Sequence, residues 1–188
     1  METTVDVTKN VARPARTMDL DALSKLDVNA LGVLYARGTV GTKLDALEGH
    51  PRGRMLAVAS LDHGAIAGAL RRFSGSQAFP WGGKSFTGRG ESGAGVNRVH
   101  VFGRHQLFPF LTRVGPSVVD GAPCIVLDYD LPDNPGAIRS IHDEVREIEP
   151  GLYLGPAMWK TRAAPRFILW FALDTRAQAT PIGRKRAG

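Results

Sequence analysis

The sequence predicts an α+β fold: an antiparallel meander curled into a barrel, with N-terminal helices and one late inserted helix packed on it or capping it. Three observations carry this expectation. Apolar residues recur every three or four positions over residues 19–34, and from residue 79 onward that period gives way to short strand-like segments. Those segments follow one another across Gly and Pro turns, which favours hairpins over crossovers. The run Phe167-Ile168-Leu169-Trp170-Phe171-Ala172-Leu173 is apolar at every position. It must be buried on both faces, which a sheet closed on itself and covered by helices provides.

Taken in order, Asp19 can cap a helix whose apolar side is Leu20, Leu23, Leu26, Ala30, Leu31 and Leu34, with Gly38 as its stop. A shorter helix is expected over Thr42 to Glu48, with Leu44 and Leu47 inward, broken by Gly49 and Pro51. Met55 to Ala59 reads as a strand, and Asp62 caps a small-residue helix running to Phe73. Strands are expected at Lys84–Thr87, Val96–Phe102, Gln106–Val114, Cys124–Leu131, Val145–Glu149, Leu152–Trp159 and Arg166–Leu173. Asp133-Asn134-Pro135 caps the late helix, with Ile138, Ile141 and Val145 on one side, and Pro150-Gly151 forms a turn. At 188 residues the chain makes one domain, residues 18–175, between a flexible leader (1–17) and a basic flexible tail (176–188).

Composition excludes several classes. A lone cysteine, Cys124, rules out an intramolecular disulfide scaffold, and its apolar run favours a buried structural role over an activated thiolate. The net charge of +6 invites a nucleic-acid reading, but residues 1–17 carry +1 and residues 176–188 carry +4, leaving +1 for the body. A near-neutral body argues against a phosphate-binding face. There is no secretory signal and no membrane-length apolar stretch, so a cytoplasmic protein is expected. No phosphate loop, dinucleotide fingerprint, zinc-protease motif or nucleophile elbow is present. His142-Asp143-Glu144 are adjacent and cannot converge on one ion from a helix, so neither a metal nor another cofactor is expected.

Candidate site residues come from strand parity. In the second of the Gly-flanked strands, Arg98, His100 and Phe102 share a face; in the Cys124 strand, Asp128 and Asp130 share one with Val126. If those faces line a cavity, Asp128 or Asp130 would act as a base, His100 would shuttle a proton and Arg98 would hold a developing oxyanion. If they meet water instead, they are surface. Phe108 and Phe110 would supply apolar walls, and Trp81 with Lys84 would form a mouth in Phe79-Pro80-Trp81-Gly82-Gly83-Lys84. Asp143 and Glu144, with Arg139 and Arg146 at helical spacing, read as ion pairs on a helix surface.

With this strand order, Trp81-Gly82-Gly83-Lys84, Asp143-Glu144-Val145-Arg146 and Pro150-Gly151-Leu152-Tyr153-Leu154-Gly155 resemble small lipocalin-like β-barrel proteins over roughly residues 52–174. The Gly-x-Trp of the first lipocalin strand is not matched, and no catalytic residue carries over. The resemblance implies a barrel interior that binds hydrophobic small molecules, in a few bacterial members with cyclisation or isomerisation of the bound molecule. The expected function is binding of a mainly apolar metabolite and its conversion by acid and base groups, as a cofactor-free isomerase, cyclase or lyase. The alternative is a non-catalytic carrier of a lipid or tetrapyrrole. The ligand is the expected partner, and a homodimer is compatible with the sequence.

Overall fold

A computed structural model describes residues 18–41, 44–59, 68–69, 72–76, 79–100 and 102–179. Eight antiparallel strands close into a barrel in strict chain order. They are β1 (Pro51–Val58), β2 (Trp81–Arg89), β3 (Ser92–Val99), β4 (His105–Pro116), β5 (Pro123–Asp128), β6 (Ile141–Glu149), β7 (Leu152–Trp159) and β8 (Arg166–Gln178). Every expected strand is present, most of them longer than their apolar core. The Gly-rich stretch after Lys84 is a hairpin whose glycines sit mostly within β2 and β3, with Gly90 at positive φ in the turn.

The apolar segment Phe167–Leu173 of β8 explains the closure. Its Phe171 and Leu173 join the interior with Phe86, Phe110, Ile125, Leu127, Tyr129, Val145 and Tyr153. Its Trp170 and Ala172 face the opposite way, into a second core made with the helices. Those helices are α1 (Leu20–Leu23) and α2 (Val28–Arg37), which pack on the outside of the barrel. The single helix expected here is two, because Asp27 caps a new one: its Oδ1 accepts from Ala30 N at 2.7 Å, as Asp19 Oδ1 does from Ala22 N. The Trp170 indole donates to Val28 O at 3.0 Å and pins α2 to β8.

One end of the barrel is closed by a single 3-10 turn, Leu44–Leu47, shorter than the helix expected over Thr42 to Glu48. Both leucines belong to the interior core, and Leu44 N to Gly90 O and Gly90 N to Asp45 Oδ1, each 2.9 Å, tie this plug to the β2–β3 turn. The helix expected from Asp62 to Phe73 lies mostly outside the described residues, as do the leader and residues 180–188. Residues 176–178 belong to β8, where Arg176 pairs with Asp174.

The late helix is corrected. Only α3 (Gly136–Arg139) is helical, and β6 starts at Ile141. Alternation overrides helical spacing: Asp143 and Val145 turn into the barrel while Glu144 and Arg146 turn out. The β6–β7 pair is held very close at Gly155, where any Cβ would lie 1.6 Å from Glu144 O. Among the described residues no helix is long and apolar enough to cross a membrane.

Candidate functional site

At the end of the barrel opposite the 3-10 plug lies a cavity of about 290 Å³. Its wall is mostly apolar, with Met55, Val99, Phe108, Ile141, Leu169 and Phe171 around it, and one polar cluster interrupts it. The interior of an eight-stranded barrel is just wide enough for side chains to fill, and here they leave this space at its end.

The cluster is built from four strands or strand ends. Lys84 on β2 is 3% exposed, and its Nζ donates to Asn97 Oδ1 at 2.9 Å, to Asp143 Oδ2 at 2.9 Å and to the Tyr129 hydroxyl. The Tyr129 hydroxyl donates to the same Asp143 Oδ2 at 3.0 Å. Trp81 Nε1 donates to Asn97 Oδ1 at 2.9 Å, and Asn97 Nδ2 reaches Phe108 O and the Tyr129 hydroxyl, each at 3.2 Å. Four rings surround the ammonium: Nζ is 5.0 to 5.4 Å from the centroids of Phe171, Tyr129, Phe110 and Trp81. Burial pulls Lys84 below the usual lysine range against the opposing pull of Asp143, and burial with the Asp143 charge pushes Tyr129 well above the usual phenol range. Asp143 Oδ1 is buried at the cavity wall and meets no donor.

Of the residues picked out from sequence, Trp81, Lys84 and Phe108 line this cavity, and Phe110 is fully buried beneath it against Tyr129. The others are elsewhere, because the cavity face of β3 and β5 is the odd-numbered one, carrying Asn97, Val99 and, just past β5, Tyr129. Asp128 and Asp130 sit on the rim, 45% and 53% exposed, paired with Lys160 at 3.2 Å and Arg139 at 2.7 Å. The bond from Asp130 N and the Lys160 charge hold Asp128 below the usual carboxylate range although partial burial pulls the other way. His100 lines a separate trough between α1 and the β1–β2 seam, where burial, then Arg104 and Arg98, lower its pKa.

Arg98 is a seam residue. β1 and β2 are in register only at Arg52 and Gly83, and Gly83 has φ of 111° with Gly53 N and the Arg98 guanidinium where a Cβ would go. Arg98 fills the gap, donating to Lys84 O (2.9 Å), Pro51 O (2.6 Å) and Gly82 O (2.8 Å). Burial lowers it to about 10. Cys124 is buried, its thiol pushed up to about 12 first by burial, then by the Glu144 charge. No group of three metal-ligating side chains occurs among the described residues.

Neither family models nor curated proteins match the sequence. Among solved structures, a protein from Thermomonospora curvata is similar at 21% identity with a TM-score of 0.46, covering 79% of this chain and 87% of that one.

Proposed function

We propose that the barrel binds a mainly apolar small molecule, as lipocalin-like barrels do, and acts on it as a cofactor-free isomerase, cyclase or lyase through Asp143. One observation carries the reading: a mostly apolar cavity of about 290 Å³ is lined by a carboxylate with one oxygen clamped by Lys84 and Tyr129 and the other buried without a donor. A general base has to meet substrate with a lone pair that no protein donor occupies, and the Lys84 ammonium lies 2.9 Å from the other oxygen of the same carboxylate. Lys84 and Tyr129 are positioning residues in this scheme. In an isomerisation, a proton taken by Asp143 is given back to another atom of the same molecule.

Size narrows the ligand. The cavity is about twice the ~150 Å³ that admits benzene. That suits a bicyclic body and is too small for a tetrapyrrole, which disfavours that form of the carrier reading. The test is conversion in a neutral metabolite extract followed by chromatography and mass spectrometry. The expected result is a compound consumed by wild type with an isomer or its fragments appearing, and no conversion by Asp143→Asn. Binding seen by native mass spectrometry without conversion by wild type would leave a carrier. No uptake by wild type, or the same uptake by the cavity-filling Ala157→Phe, would sink both.

A further inference from the structure

The hydrogen-bond inventory of the cavity is lopsided. Lys84 has three N–H donors and three acceptors around it; the two Asn97 amide hydrogens go to Phe108 O and Tyr129; the Tyr129 and Trp81 hydrogens are given to Asp143 and Asn97. Every side-chain donor of the cluster is used. What remains unmet is an acceptor, Asp143 Oδ1, on a residue 4% exposed that lines the cavity. A buried carboxylate oxygen without a donor is costly, and a ligand that donates to it removes that cost.

We propose that the cavity selects an uncharged molecule of bicyclic size that presents a hydroxyl or N–H to Asp143 Oδ1. This rests on the cavity being a ligand site and adds which chemistry it reads. A ligand with only carbonyl or ether oxygens finds no free donor. An anion is rejected as well: the Lys84 charge is already matched by Asp143, so a second carboxylate would lie beside the first with nothing to compensate it. Discrimination by a buried polar group against an analogue lacking its partner is stronger than discrimination by one methyl group of size.

The experiment compares three probes on one skeleton, 1-naphthol, 1-methylnaphthalene and 1-naphthoate, by calorimetry and fluorescence at pH 7. We expect 1-naphthol to bind roughly tenfold to a hundredfold more tightly than 1-methylnaphthalene, with 1-naphthoate weakest. The double variant Lys84→Met with Asp143→Leu removes both charges together and keeps the volume, so it is expected to fold. In it the naphthol preference should vanish while 1-methylnaphthalene still binds. Equal binding of the two neutral probes to wild type, tightest binding of 1-naphthoate, or a preference that survives in the double variant would overturn the donor proposal and leave the cavity as a ligand site. Failure of all three to bind would overturn that reading as well.

Discussion

Strand β6 carries two buried carboxylates, Asp143 and Glu144, on its two faces, and they are treated in opposite ways. Outside the barrel, both oxygens of Glu144 are fully used. Oε2 accepts from Tyr35 OH at 2.7 Å and from Ser117 Oγ, and Oε1 accepts from Val118 N and faces His142 Nε2, each at 2.8 Å. Beside it, Arg146 forks onto Asp120 at 2.6 and 2.7 Å, donates to Pro123 O and Ala122 O, and lies 4.3 Å from the Tyr35 ring. This network fastens α2 and the β4–β5 loop to the wall. Inside, Asp143 lines the cavity, clamped on one oxygen and buried without a donor on the other. Saturation marks a polar cluster that holds the fold, and the unmet oxygen of Asp143 is the atom that the proposed ligand would engage.

The largest effect should come from breaking the outer network. Glu144→Ala strands the Tyr35, Ser117 and Val118 donors at a site with no solvent exposure, and should cost about 4–5 kcal/mol in urea unfolding. A loss under about 1 kcal/mol would mean that water replaces the carboxylate there, and the outer cluster would no longer count as structural.

Inside, the two charges should behave as a pair. Lys84→Met or Asp143→Leu alone leaves a buried charge and should cost about 3 kcal/mol, whereas the double variant should lie within about 1 kcal/mol of wild type. A thermodynamic cycle over the four proteins checks this. Additive losses would show that the pair is not coupled.

Acid should weaken the outer cluster next. Glu144 is held at about 2 against an ordinary 4.5: burial raises it, but the bonds from His142, Ser117, Val118 and Tyr35 together outweigh that. A lowered carboxylate stabilises the fold above its unfolded pKa, and that contribution is lost as pH falls from about 4.5 toward 2. Its size is on the order of 3 kcal/mol. Unfolding of wild type and Glu144→Gln at pH 6 and pH 2.5 should therefore converge at the lower pH, and a constant gap would contradict the assignment.

The same two carboxylates show what could be read from residues alone. The strand succession and the doubly buried Phe167–Leu173 segment are local patterns, so they were legible, as were the aromatics and Lys84 flanking a glycine break. Parity showed that Asp128 and Asp130 share a face but not that the more apolar face, with Leu127 and Tyr129, is the one turned inward. A barrel interior is the core, and its cavity inherits the core's face. Asp143 was hidden by its neighbours: a run of His, Asp, Glu and Arg around one valine resembles a wet helix. Its partner Lys84 lies 59 residues away and comes beside it only when the barrel closes.

The smallest effect is expected where the sequence pointed most directly to catalysis. Asp128 and Asp130 make single, half-exposed pairs with Lys160 and Arg139 at the rim, and such pairs contribute about 0–1 kcal/mol. Asp128→Asn and Asp130→Asn should each stay within that range in unfolding and leave the affinity for 1-naphthol unchanged, since neither side chain lines the cavity. A tenfold loss of naphthol binding in either variant would bring the rim into the site. Asp143 would then no longer be the one carboxylate that reads the ligand, and the contrast across β6 would have to be redrawn with the rim included.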